Sequence, residues 1–225
     1  MERIANLLER SVAFDHFLSA ALDGCTFVAQ THRTRAAIAA AQVSVEHARA
    51  VRVSFAAGLP NAACALSRVQ YEALLRAAWA LYVASDDKVA KLNAPLDVNA
   101  EQDAKSLPGA LDMLKALKGL LASRTELVGL VAPLSEIHAY SWRAMNSFVH
   151  AGIHPLNRSA AGFPVQLADT ILRGSNGMMH MAYRLLGRLQ PQMDRTGMID
   201  GAWRQFSDCC PMHPSASVDQ SEDAA

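Results

Sequence analysis

Between about Ala62 and Ala84 the chain is apolar on almost every side of a helix, and a helix of that kind has to be surrounded by others. Tyr71, Leu74, Leu75, Ala78 and Tyr82 take one side, and Leu75, Trp79 and Val83 take the adjoining one. Arg68 and Glu72 fall in line with Trp79 and Val83, which predicts a partly buried pair at i, i+4. Glu72 is read as the partner that fixes register, while Arg68 is equally suited to face a bundle cleft.

The segments around it carry the same period. Ile4, Leu7, Leu8, Phe14, Phe17, Leu18 and Leu22 mark a first helix closed by Gly24. A second runs from about Arg33 to Phe55 and ends before Gly58-Leu59-Pro60-Asn61, where Asn61 is the expected N-cap. Its basic residues Arg33, Arg35, Arg49 and Arg52 are expected on a solvated face. The polar stretch from Ser85 to Ser106 reads as a connection with a helical turn at Asp86 to Leu92. Leu111, Leu114, Leu117, Leu120 and Leu121 mark a short amphipathic helix. Pro133 suits the first turn of a helix reaching about Ala151, and a long one follows from about Pro164 to Leu189. Ile199, Trp203 and Phe206 belong to a last short helix. No stretch alternates as a strand would, so the expected fold is an all-α antiparallel bundle of five or six main helices with short accessory helices.

Residues 1–210 are expected to form one helical domain, with a Ser-, Asp- and Pro-rich disordered tail over 211–225. Half of the chain is hydrophobic, yet its low aromatic content makes the core aliphatic. A formal net charge of zero gives no global pull toward nucleic acid or anionic membrane. The cysteines Cys25, Cys64, Cys209 and Cys210 show no CxxC spacing and suit buried thiols in a reducing cytoplasm. No apolar run is long enough to span a bilayer, and the first residues lack a signal-peptide pattern.

Chemistry concentrates near the end of one helix, in Ser141-Trp142-Arg143-Ala144-Met145-Asn146-Ser147-Phe148-Val149-His150. Arg143 and His150 are two turns apart on one face, about 10.5 Å along the axis, with Asn146 and Ser147 between them. A guanidinium grips two phosphate oxygens, and an imidazole exchanges protons near neutral pH. The bland alternative is an arginine paired with an acid across helices and a histidine closing a helix end. Helical side chains lean toward the N-terminus, so Arg143 reaches away from His150 within one chain, and either a ligand spans the two or a second subunit interleaves its own pair. His154 and Arg158 follow as auxiliary contacts. His150 and His154 have HxxxH spacing, but Gly152 and Pro155 break the helix, so no metal is expected. There is no Walker loop, GxGxxG or GxSxG, and no cofactor is expected.

Arg-x6-His near the end of a late helix resembles the Arg-x(4–6)-His signature of the HEPN superfamily. The flanks agree: an aromatic residue before Arg143, a hydroxyl at Ser147, and Val149-His150 running into a Gly/Pro turn. Arg68-x-x-x-Glu72, followed by Trp79 and Tyr82, is similar to bacterial proteins of that type. The resemblance covers roughly residues 30–190. It implies a homodimeric helical bundle and a metal-independent endoribonuclease of a toxin–antitoxin or antiviral defence system, with RNA as substrate and an antitoxin or defence protein as partner. Carried over, His150 is the general acid/base, Arg143 stabilises the phosphorane and Asn146 orients; Ser147, His154, Arg158 and Arg68 bind substrate. The family commonly has a polar residue directly after the arginine, where this chain has Ala144, so Asn146 or Ser147 must substitute. The alternative from another class is a catalytically inactive helical module that binds a partner.

Overall fold

The computed structural model describes residues 2–25, 31–96, 100–189 and 196–211. Among them the regular structure is helical: α1 (Glu2–Ala20), α2 (His32–Ala56), α3 (Pro60–Tyr82), α4 (Asp86–Leu92), α5 (Ala100–Lys105), α6 (Ala110–Gly119), α7 (Val128–Val149), α8 (Ile153–Ala161), α9 (Val165–Arg188) and α10 (Thr196–Gln205). Five of these are long, α1, α2, α3, α7 and α9, and the fold is the expected all-α bundle with short accessory helices. No described helix is long and apolar enough to cross a membrane. All but the first residue of the expected tail, Pro211, lies outside the described residues.

Helix α3 is the hub. Tyr71, Leu74, Leu75, Ala77, Ala78, Trp79 and Ala80 are all buried, and α2, α6, α7 and α9 pack around it. Along α2 the small residues Ala41, Ser44 and Ala48 are buried in turn, which lets α2 lie close against α3. Gly58 makes the turn between them with φ of +73°, a conformation that costs glycine little. A reciprocal capping box starts α2: the Thr34 amide donates to the Thr31 hydroxyl, and the Thr31 amide to that of Thr34.

Three local expectations need correction. Pro60, not Asn61, opens the third helix, with Leu59 at the cap; proline suits the first helical position because its missing N–H would be unpaired there anyway. Pro133 does not begin α7 but lies inside it. A 3-10 turn over Thr125–Leu127 feeds straight into the helix, and burial of Leu127, Leu130, Val131 and Leu134 holds that early start. Pro133 then has no N–H for the carbonyl four residues before it, that of Gly129.

The third correction concerns α2. Arg52 is not on a solvated face: its side chain is 8% exposed and bonds to the buried carboxylate of Asp15 on α1. Arg49 donates to the same carboxylate at 2.8 Å, and the Tyr183 hydroxyl of α9 donates to it at 2.9 Å. One carboxylate thus ties α1, α2 and α9 together. Of the cysteines, Cys64, Cys209 and Cys210 are buried and Cys25 is half-buried, all as free thiols. Burial pushes the Cys64 thiol up to about 12, which makes it an inert core residue.

Candidate functional site

Helices α3 and α7 run antiparallel, since Arg68 meets Asn146 while Tyr71, one turn later on α3, donates to the carbonyl of Leu134, three turns earlier on α7. The Arg68 guanidinium forks between two acceptors, Asn146 Oδ1 at 2.8 Å and Glu72 Oε1 at 2.8 Å. It also lies 4.0 Å from the centre of the Trp142 ring, a cation–π contact worth about 0.5–2 kcal/mol. His138 stacks on Trp142 with ring centres 4.9 Å apart, and Tyr71 meets both rings. The predicted Arg68–Glu72 pair is therefore formed, and Arg68 reaches beyond it to the motif helix.

The motif residues divide into two sets. Asn146 and Ser147 are committed to structure. Asn146 accepts from Arg68, and the Ser147 hydroxyl accepts the His154 amide at 3.1 Å, joining the end of α7 to the start of α8. Arg143 and His150 are exposed and form no hydrogen bond or ion pair through their side chains among the described residues. The expected cross-helix acid for Arg143 is absent among those residues, so the bland reading of that arginine does not hold there. His150 does close the helix: it is the C-cap of α7, and its amide donates to the Asn146 carbonyl. His154 is exposed and meets the Phe148 ring at 5.9 Å, whereas Arg158 is half-buried in α8. The structure brings Arg68, Asn146 and Trp142 together; it does not join Arg143, His150 and Arg158 by any hydrogen bond.

Just past His150 the chain takes a 6→1 turn, in which the Gly152 amide donates to the Ser147 carbonyl at 2.8 Å. Ala151 holds the left-handed position with φ of +49°, where glycine is usual. Gly152 itself is needed for space. A Cβ there would lie 2.6 Å from Ser147 Oγ and 3.3 Å from the Ser147 carbonyl oxygen. Gly152→Ala is expected to rotate Ser147 off the His154 amide and loosen α8, at about 1–3 kcal/mol. Hydrogen exchange should then rise in peptides spanning residues 150–161 while the α2–α3 peptides keep their protection. Unchanged exchange over 150–161 contradicts this account of the turn.

Two residues of the same region stand out only in three dimensions. Arg76 reads in sequence as an interruption of an apolar run, and His138 as part of an apolar face. Both are half-buried, and Arg76 Nη1 and His138 Nε2 are fully shielded with no hydrogen-bond partner, as is Arg68 Nε. Burial lowers the pKa of Arg76, opposed by the Glu72 charge, and burial together with Lys118 lowers that of His138. The i, i+4, i+8 spacing of Arg68, Glu72 and Arg76 was the available signal for this stripe. No group of three His, Cys, Asp or Glu side chains suited to a metal gathers among the described residues.

Residues 41–212 match the model of a protein family described as a family of unknown function, DUF6988. No curated protein and no solved structure matches the chain.

Proposed function

We propose that this chain, which belongs to the DUF6988 family of unknown function, is an RNA-cleaving helical protein that works without a metal ion through Arg143 and His150. One observation carries the reading: these two groups, a fixed cation and a titratable imidazole, stand exposed and uncommitted on the last two turns of α7, while Arg68 holds Asn146 between them. The resemblance of the Arg143–His150 motif to HEPN proteins supports the same chemistry. The imidazole takes the proton of a ribose 2′-hydroxyl, whose oxygen attacks the adjacent phosphorus. The 5′-oxygen leaves with a proton, giving a 2′,3′-cyclic phosphate and a 5′-hydroxyl. Arg143 contacts the non-bridging oxygens as charge builds on them.

Because Arg143 leans away from His150, the reading includes a homodimer in which each copy completes the other's site. Helix α8 supplies a suitable face. It has no buried residue, and Ile153 and Leu156 are 76% and 64% exposed beside the motif. Ile153→Asp combined with Leu156→Asp is expected to convert a dimer to a monomer in light scattering after gel filtration. A doubly substituted protein that stays dimeric removes α8 from the interface. A cytoplasmic setting and an antitoxin or defence-system partner belong to the same proposal.

A second reading, an inactive binding module, is favoured by one fact. The polar groups between Arg143 and His150 are already engaged by Arg68 and by the His154 amide, and Ala144 adds none. The deciding experiment incubates the purified protein with total RNA in excess EDTA. Cleavage by the wild type supports the enzyme, and intact RNA supports the module. Cleavage only on adding metal overturns the metal-independent mechanism.

A further inference from the structure

We propose that Tyr140 is a stacking platform for a base of single-stranded RNA whose neighbouring phosphate is held by Arg143. The proposal rests on the cleavage reading for the kind of polymer, but it concerns binding and is tested without any bond being cut.

Tyr140 is 88% exposed, whereas Tyr71 and Tyr183 are buried and Tyr82 is half-buried beneath Arg124. No other Phe, Trp or Tyr side chain among the described residues is exposed, and Tyr140 makes no hydrogen bond or ring contact with them. Exposure alone does not mark a site; the surroundings of this ring do. Between Glu136 and Asp169 the chain has no acidic residue, and in that interval stand Arg143, His150, His154 and Arg158. Asp169 itself is buried and bonded to Arg3 and Arg173, and Glu72 of α3 is bonded to Arg68. Late α7, the turn after it and α8 are therefore locally cationic in a chain whose formal charge is zero.

Tyr140 and Arg143 are one turn apart on α7, about 4.5 Å along the axis, so their side chains are neighbours on its surface. Helical side chains lean toward the N-terminus, so Arg143 reaches back over the turn that carries Tyr140. One exposed patch thus offers a guanidinium for a phosphate and a π face for the base attached to it. Glu136, one turn before Tyr140, ends the cationic stretch, which directs a bound strand from Tyr140 toward His150. A protein anchor would sit within a ring of apolar groups that excludes water. The exposed apolar residues of this region, Val149, Ile153 and Leu156, lie more than two turns further on, and along the helix Tyr140 is flanked by the charges of Glu136 and Arg143. The open cleft lined by Arg3, Arg10 and Arg173 is no rival for the strand, since each of those arginines already has Asp169 or Asp208.

The probe is a fluorescein-labelled 2′-O-methyl RNA strand of about 12 nucleotides, within the site sizes of single-strand binders. It lacks the attacking hydroxyl and cannot be cut, so anisotropy with the full chain in EDTA reads binding alone. The wild type is expected to bind saturably, and more weakly as salt rises. Tyr140→Ala and Tyr140→Leu should each weaken binding by about fivefold or more, the loss of one stacked base, while Tyr140→Phe keeps the π face and should stay within about twofold. Arg143→Gln should weaken binding and flatten its salt dependence. Thermal melts should not move with the Tyr140 substitutions, since the side chain packs on nothing. No saturable binding by the wild type overturns the proposal, as does equal binding by wild type and Tyr140→Ala. Binding kept by Tyr140→Leu but lost by Tyr140→Ala overturns it too, and assigns the residue to an apolar contact. Loss of binding by Tyr140→Ala together with a change from dimer to monomer in light scattering makes the ring a subunit contact, again against the proposal. Cleavage of unmodified RNA with binding indifferent to Tyr140 retires the platform alone; Tyr140-dependent binding without cleavage retires the nuclease alone.

Discussion

Asp15→Ala is expected to lower the stability of the protein by about 3–5 kcal/mol, the cost of leaving a buried charge without its partner. The charge left behind is Arg52, whose side chain is 8% exposed and whose other acceptor is the soft sulfur of Met179. Arg49 adds little to this figure because it is half exposed and water screens it. For a chain of this size each kcal/mol moves the melting temperature by about 2–4 °C, so a drop of roughly 6–20 °C should appear in a thermal melt. Tyr183 loses its acceptor as well. A fall of under roughly 1 kcal/mol would mean that water or a shifted side chain reaches Arg52.

The same carboxylate gives the stability its acid limb. Burial alone would raise the Asp15 pKa, but the hydrogen bond from Arg49 and the charges of Arg52 and Arg49 outweigh it and hold it below the ordinary aspartate range. A depressed folded-state value contributes stability above the unfolded pKa, near 4, and loses it as pH falls through the folded value. Wild-type melting temperature should therefore decline below about pH 4, and Asp15→Ala should show a flatter limb there.

The second large effect concerns cleavage. His150→Ala is expected to slow RNA cutting in EDTA by about 10²–10⁴-fold, the range for loss of a general acid/base. Arg143→Ala should cost about 10²–10³-fold, as for other groups that stabilise charge building up on oxygen. Arg143→Lys should restore little, since an ammonium cannot offer the planar pair of donors. Both side chains are exposed and make no bond to the described residues, so neither change should disturb folding, and circular dichroism melts serve as the control. Equal rates for all four proteins would assign any observed cutting to a contaminant or to another site.

Much of the architecture follows from spacing alone. A helix apolar on almost every side, α3 had to be central, and Arg68 and Glu72 one turn apart on it had to be neighbours. Those are local consequences of 3.6 residues per turn. Spacing also put Arg143, Asn146, Ser147 and His150 on one face, but it could not say which of them would be used up. Asn146 is claimed by α3 and Ser147 by α8, and both bonds depend on how separate helices dock. The burial of Arg52 is hidden for the same reason, since its counter-charge lies 37 positions earlier, on another helix. Arg76 and His138 are silent in the sequence because a lone polar residue in an apolar run carries no mark of whether its partner exists. Pro133 is a poor marker of where α7 begins because proline is tolerated at more helical positions than the one it prefers.

The Asp15 anchor also bears on where this folding unit ends. The family match begins at residue 41, yet Asp15, which neutralises Arg49 and Arg52 inside the match, is carried by α1 outside it. Arg3 and Arg10 of α1 make two further ion pairs, with Asp169 and Asp208. A fragment trimmed to 41–212 would carry a stranded internal cation and a bared apolar wall where Phe14 and Leu18 had packed. The autonomous domain is therefore larger than the stretch by which the family is recognised, and expression boundaries drawn at that match would remove one of its structural walls.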